Sequence, residues 1–385
     1  MTAVLLFAAT LLVAALLSAR AQRTALSISV LFLAVGFVAG QLGWIRVSAQ
    51  SSTVTVFADV ALSAVLFSDG MRITGAGLRR DWGLPGRALL LGFPLSLLAL
   101  ALLAHWAAGL AWAQAVLLAA VLTPTDPVFA ASMVKRDEVS MGLRRLLNVE
   151  SGVNDGLALP IVVGMLAILD GSHGGFAAPV LDVMGGAALG VLVPWAADRV
   201  RAAARSRLEG AYTALFTLAV GILVYAVAKL THTNEYIAAF CAGATLASCG
   251  PRTLTEEFAP LGEHLCELLK FATLLAFGAM LTPALFAGVS WGGWVFVGAA
   301  LLLARPLAMA AALWRSGLRG RERAAAGWFG PKGFASVVYA FLVLRTGVAG
   351  AESVFALAAV VVAVSIVVHS SSDVPVARWL GKTSA

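Results

Sequence analysis

Apolar residues fill this chain in blocks of roughly helical-span length, separated by short stretches rich in arginine, glycine and polar residues. A helix needs roughly 20 apolar residues to cross a bilayer. The pattern predicts thirteen spans, near residues 3–19, 26–45, 53–70, 86–107, 113–134, 146–169, 177–198, 211–230, 234–249, 262–286, 291–314, 324–345 and 352–371. The expected fold class is therefore an all-α polytopic membrane protein of about thirteen transmembrane helices. Composition agrees: 60% of residues are hydrophobic and 12% charged, with a mean hydropathy of +0.91. Soluble domains average about 25% charged. No stretch is left over for a soluble regulatory domain within these 385 residues.

The formal charge of +7 has a distribution that decides its meaning. Of 27 lysines and arginines, 21 fall in loops after odd-numbered spans or in the C-terminal tail. Loops after even-numbered spans hold Arg46, Lys229 and Arg345, and Lys270, Arg305 and Lys332 lie inside spans. Cytoplasmic loops carry the excess of basic residues. The N-terminus is expected outside and the C-terminus in the cytoplasm, in a cell membrane. Alternation this regular marks orientation in a bilayer, so no nucleic-acid partner is expected. Ser18-Ala19-Arg20-Ala21 resembles a small-residue cleavage site. No basic residue precedes the apolar run and two follow it, so the first span is expected to be a retained helix. Cys241, Cys249 and Cys266 have no metal-ligand spacing, Gly75-Ala76-Gly77 lacks the third glycine of a dinucleotide fingerprint, and no cofactor is expected.

Helix breakers concentrate in two spans. Span 5 carries Pro124 and Pro127, and span 12 carries Gly330-Pro331-Lys332-Gly333. A proline frees the carbonyl four residues back, here those of Ala120 and Thr123. In lipid, freed backbone is tolerated only inside protein or beside a watery cavity. The broken spans lie seven helices apart. That offset predicts one transmembrane domain over 1–385 made of two repeats, 1–176 and 211–385, with 177–210 as linker helix and basic loop. The odd offset inverts the second repeat, and paired broken helices in inverted repeats point to a secondary transporter. Half-helix ends carry partial charges. Where the two broken helices cross, Asp126 would neutralise the N-terminal ends and Lys332 the C-terminal ends.

Asn148-Val149-Glu150-Ser151-Gly152-Val153-Asn154-Asp155-Gly156 places two carboxylates inside span 6. Each ionisable group in a bilayer costs about 2.5–3.5 kcal/mol on insertion scales, so such groups are functional candidates. Residues four apart share a helix face. Ser151 and Asp155 would face an ion path, and Glu150 and Asn154 a structural partner. That partner must be a buried cation. Lys270 has Glu267 three residues away, whereas Arg305 lies mid-span before Pro306, so Glu150–Arg305 is the expected pair. The oxygen donors on offer are Asp155, Ser151, Thr125, Asp126 and the freed carbonyl of Thr123. Hard oxygen ligands suit a hard cation, here an alkali ion. Asp69, at the end of span 3, fits either the ion route or the cytoplasmic interface, and Asp59 poses the same question. His105, His173, His232, His264 and His369 lie near span ends or in loops and are expected to be solvated.

Thr125-Asp126-Pro127 in one span and Glu150-Ser151-x-x-Asn154-Asp155 in the next resemble the NhaP-type monovalent cation:proton antiporters, relatives of the eukaryotic sodium/proton exchangers. Ala304-Arg305-Pro306-Leu307 and Gly330-Pro331-Lys332-Gly333 fit the later spans of that family. The resemblance implies a homodimer whose mobile core bundle carries the ion past a dimerisation domain. It implies that Asp155 binds cation or proton, and that Asn154 replaces the second aspartate of electrogenic relatives. Ser151, Thr125 and Asp126 match ion-ligand positions, and Glu150 with Arg305 a buried ion pair. Two positions depart from the pattern: Lys332 stands where the family often has Arg, and Ser68 where it often has Glu, with Asp69 shifted by one. The expected activity is electroneutral Na+ or Li+ exchange for H+ by alternating access, with K+/H+ antiport as the alternative. A sodium-coupled symporter or a cation channel are the readings from other classes. A channel would need a continuous multi-site pore. An enzyme is not expected, since no Ser–His pair falls within motif reach.

Overall fold

A computed structural model describes residues 1–21, 27–48, 51–73, 83–126, 139–171, 177–204 and 209–381, and among them every regular element is helical. Pro127 and the remainder of span 5, Gly75-Ala76-Gly77 and His173 lie outside the described residues. The helices are α1 (Thr2–Ala21), α2 (Ile28–Gln41), α3 (Ser52–Met71), α4 (Gly83–Trp106), α5 (Trp112–Leu122), α6 (Met141–Asp170), α7 (Ala177–Ala203), α8 (Ala211–Leu230), α9 (Glu235–Cys249) and α10 (Arg252–Met280). After a one-turn helix at Pro283–Ala287 come α11 (Trp291–Ala312), α12 (Gly320–Trp328), α13 (Phe334–Thr346) and α14 (Ala351–Gly381). Seven helices are long and apolar enough to cross a membrane among the described residues, and five shorter apolar helices accompany them.

Three elements differ from the sequence reading. α10 begins ten residues before expected span 10, because its first half is amphipathic. Leu254, Phe258 and Cys266 are buried at multiples of four while Glu256, Glu257 and Glu263 are exposed. Span 12 is two helices, α12 and α13, separated at 329–333. α14 runs ten residues beyond the expected end, carrying Pro375 within it.

The chain forms two compact units, each discontinuous in sequence. One comprises Met1–Thr55, Gly83–Asn154 and Phe271–Ala385, the other Val56–Trp82 and Asp155–Lys270. This spatial grouping is a different partition from chain-order repeats. In the first unit, Leu143, Leu146 and Leu147 of α6 pack with Met309, Leu313, Ala325, Phe329 and Leu380. α4 and α11 are each interrupted by a π turn, at Ala88–Gly92 and Ala300–Ala304, immediately before Phe93-Pro94 and Arg305-Pro306. A proline cannot donate and its ring crowds the carbonyl four residues back. The wider π turn relieves that crowding, and such turns are frequent at functional sites.

In the second unit Phe67, Val224, Ala239, Ala242, Leu246 and Phe258 share a core. Here α3 crosses α9 at Gly70 and Gly243. A β-carbon on Gly243 would lie 2.1 Å from the Phe67 carbonyl oxygen, so only glycine allows the approach. Four polar side chains meet in this unit. Asp59 accepts from Tyr236 Oη at 2.5 Å and from Lys229 Nζ at 3.0 Å, and Lys229 also pairs with Glu235 at 2.5 Å. Asp59, read from the sequence as a question about the ion route, is thus engaged by a cation and a phenol.

Candidate functional site

α5 stops at Leu122, with the Thr123 hydroxyl donating back to the Ala119 carbonyl at 2.7 Å. Pro124 ends the helix, leaving 124–126 without helical structure and Thr123, Thr125 and Asp126 buried. The second break, at 329–333, meets this segment directly. The Asp126 amide donates to the Pro331 carbonyl at 2.9 Å, and the Asp126 carboxylate accepts from the Phe334 amide at 3.2 Å. Phe334 opens α13, so the carboxylate sits on the positive end of a helix dipole. Lys332, also buried, reaches the Thr123 carbonyl at the C-terminal end of α5 with Nζ at 3.5 Å. One acid and one base thus lie at the helix ends of opposite polarity where two interrupted helices cross. The Thr123 carbonyl, expected to face an ion, faces Lys332 in this structure.

α6 supplies the third side. Glu150 takes a two-pronged bond from Arg305, with Nη1 to Oε1 at 2.6 Å and Nη2 to Oε2 at 2.9 Å. Arg305 Nη2 also donates to the Ala326 carbonyl of α12 at 3.2 Å. Both side chains are buried. The Ser151 hydroxyl donates to the Thr125 carbonyl, and Asn154 Nδ2 donates to Thr125 Oγ1 at 2.7 Å. The sequence reading grouped Asn154 with Glu150 against a structural partner. The structure instead turns Asn154 with Ser151 towards Thr125, because residues three apart on a helix are as much neighbours as residues four apart. Asn154 Oδ1 is buried with no hydrogen-bond partner among the described residues. Asp155, the next residue of α6, is also buried. Asp69 lies buried near the end of α3, with the half-exposed Arg72 at 3.4 Å.

Gly330 shows how tightly the second break is built. A β-carbon there would stand 1.9 Å from Cδ and 2.2 Å from Nε of Arg305. Arg305 is fixed at its far end by Glu150, so it cannot swing away. Gly330→Ala is expected to destabilise by about 1–3 kcal/mol, the usual range for overpacking. Thermal melting in detergent checks this. If Gly330→Ala is as harmful when Arg305 is already alanine, the clash is not the cause.

His369 overturns its sequence reading. It was expected to be solvated near a span end, but α14 continues to Gly381 and His369 is 2% exposed. It packs against Trp328, with ring centroids 5.2 Å apart. The available signal was the spacing of Ser365, His369 and Ser372 along the chain, which puts three polar groups on one helix face. No group of three or more His, Cys, Asp or Glu suited to a metal ion occurs among the described residues.

Comparison with known proteins follows the same lines. A family model described as sodium/hydrogen exchanger, transmembrane, matches residues 8–379. The K+/H+ antiporter NhaP of Alkalimonas amylolytica is 26% identical over 366 residues, covering 93% of this chain and 63% of that protein. The K+/H+ antiporter NhaP2 of Shewanella oneidensis is 27% identical over 383 residues, covering 95% and 65%. The chain thus spans just under two thirds of the length of these curated relatives. The sodium proton antiporter MjNhaP1 from Methanocaldococcus jannaschii shares the fold, with a TM-score of 0.77 at 17% identity over 99% of this chain and 100% of that one. With the family match running through nearly every described helix, the chain belongs to the transmembrane sodium/hydrogen exchanger family.

Proposed function

We propose that this protein is a secondary active antiporter that exchanges one alkali cation for one proton at Asp155. The observation that carries the reading is the crossing of two interrupted helices, with Asp126 and Lys332 neutralising opposite dipole ends inside the protein. Crossed half-helices of this kind hold coupling ions near the midplane in secondary transporters. The repeat reading is supported by a second pair of irregularities at the same seven-span offset, the π turns of α4 and α11. The cation reading is supported by Asn154 Oδ1, a buried oxygen acceptor with no donor among the described residues, one residue before Asp155. Ser151 lies four residues back on the face of Asp155, by helix geometry. Ser151, Asn154, Thr125 and Asp126 are the proposed oxygen ligands, and Glu150 with Arg305 the pair that fixes α6.

A carboxylate that holds either a cation or a proton, never both, couples the two flows. With a single exchanging carboxylate the cycle moves no net charge. The membrane potential, worth about 2.3 kcal/mol per charge per 100 mV, then does not drive it. The names of the curated relatives favour K+, and that of the structural neighbour Na+. The basic-loop bias supports an outside N-terminus and a cytoplasmic C-terminus in a cell membrane, and the family resemblance supports a homodimer.

The test uses vesicles with an acid interior. Adding K+, Na+ or Li+ outside is expected to collapse the pH gradient, at rates within about twofold whether the potential is zero or about 100 mV. The ranking of cations names the substrate. No collapse with any cation, in protein shown to be folded, removes the antiporter and promotes a symporter or channel. A steep voltage dependence removes the one-for-one exchange.

A further inference from the structure

The second break is bridged from behind by α14, through side chains that no part of the transport reading uses. Ser365, His369 and Ser372 occupy successive turns of one helix face. Ser365 Oγ accepts the Lys332 backbone amide at 2.8 Å, inside the break. Ser372 Oγ accepts the Trp328 indole N–H at 2.9 Å, at the end of α12. Between them His369 lies against the Trp328 ring, with Nδ1 at 3.1 Å from Ser365 Oγ and 2.9 Å from the Ser365 carbonyl. Trp328 is the last residue of α12, so this ring contact lies at the edge of the break.

Nδ1 is within hydrogen-bond distance of both the hydroxyl and the carbonyl of Ser365, so the ring is tied to Ser365 in either neutral tautomer. The Ser365 hydroxyl in turn holds the Lys332 amide, and the ring face lies on Trp328, the last residue of α12. These contacts make a continuous path from the Lys332 amide through Ser365 and His369 to the end of α12.

We propose that His369 is a positioning residue that closes the second break, holding the end of α12 directly and the Lys332 peptide through Ser365. Lys332 and Asp126 can stand at the crossing only while the five residues 329–333 keep their path. A buried chain that ties both ends of that path removes its freedom to rearrange. The role in turnover rests on the antiport reading above; the role in holding the break does not.

Two measurements separate these. Hydrogen exchange followed by mass spectrometry reads the amides of residues 328–334 in wild type, His369→Ala and Ser365→Ala. Faster exchange confined to that segment in both variants is expected. Unchanged exchange in His369→Ala overturns the proposal. In vesicles, His369→Ala is expected to lower the maximal rate per folded protein about tenfold, with the apparent cation KM moving less than about threefold. Asn puts a hydrogen-bonding amide where Nδ1 was, so His369→Asn should regain part of the rate. Since His369 acts partly through Ser365, the double alanine variant should fall short of the product of the two single losses. A full multiplicative loss, or an unchanged rate in folded His369→Ala, overturns the positioning role in turnover. Faster exchange in the variants of a wild type that moves no cation would leave the bridge standing and sink the antiport reading instead.

Discussion

Asp155→Asn is expected to abolish cation-dependent proton movement, by at least about a hundredfold, in protein that still folds. Asparagine keeps the shape and one oxygen of the side chain, so packing around this buried position changes little. It removes both things the cycle needs. An amide cannot release a proton into one compartment after taking it from the other. Nor can it balance the charge of a bound cation, and a cation left uncompensated in a low-dielectric interior is strongly disfavoured. Ser151 and Asn154 remain in place, but hydroxyl and amide oxygens supply dipoles rather than charge. Asp155→Glu distinguishes charge from placement. It retains a carboxylate one methylene further out, so under the proposed cycle measurable but slower exchange is expected. Vesicle pH-gradient collapse with K+, Na+ and Li+ checks both variants. Wild-type rates in folded Asp155→Asn would move the exchanging site elsewhere, with Asp126 the first place to look.

How far the sequence foretold these features depends on how local each cause was. Both helix breaks were visible because proline and glycine act within a turn: Pro124 ends α5, and Gly330-Pro331-Lys332-Gly333 splits α12 from α13. Glu150 and Arg305 were readable as partners because each is prohibitive alone inside an apolar span. Asn154 was misplaced because helical periodicity alone does not choose between i+3 and i+4. His369 was misread because its exposure depended on where α14 ends, and a run of moderately polar residues gives no stop signal before Gly381. The grouping of Lys229, Asp59, Glu235 and Tyr236 is of another kind. Lys229 and Asp59 are 170 positions apart, and nothing in either neighbourhood names the other. The π turns were also hidden. Pro94 and Pro306 signal trouble in their helices but not the form its relief takes.

The pair Glu150–Arg305 carries the second large effect. Arg305→Ala is expected to destabilise the folded state by about 3–5 kcal/mol, the cost of leaving one member of a buried pair without its partner. The 2.6 and 2.9 Å bonds satisfy both carboxylate oxygens, and the third bond, to Ala326, extends the link from α6 to α12. Glu150→Gln should cost a comparable amount, since the guanidinium then stays charged beside a neutral amide. Replacing both together, as Glu150→Leu with Arg305→Met, removes the buried charges instead of orphaning one. Such replacements are often neutral or stabilising, so the double variant should melt close to wild type. Thermal melting in detergent, with the folded fraction followed by size exclusion, reads all four proteins. A loss below about 1 kcal/mol in Arg305→Ala, the size of an exposed pair, would sink the assignment of a tightly coupled buried pair. The same series separates stability from transport. The apolar pair can restore packing but supplies no donor to the Ala326 carbonyl, so α12 loses its tether to α6 at the turn before the second break. Recovered melting without recovered exchange would therefore place the value of this ion pair in aligning Lys332 and Asp126 at the crossing. Recovery of both would make it a matter of stability alone.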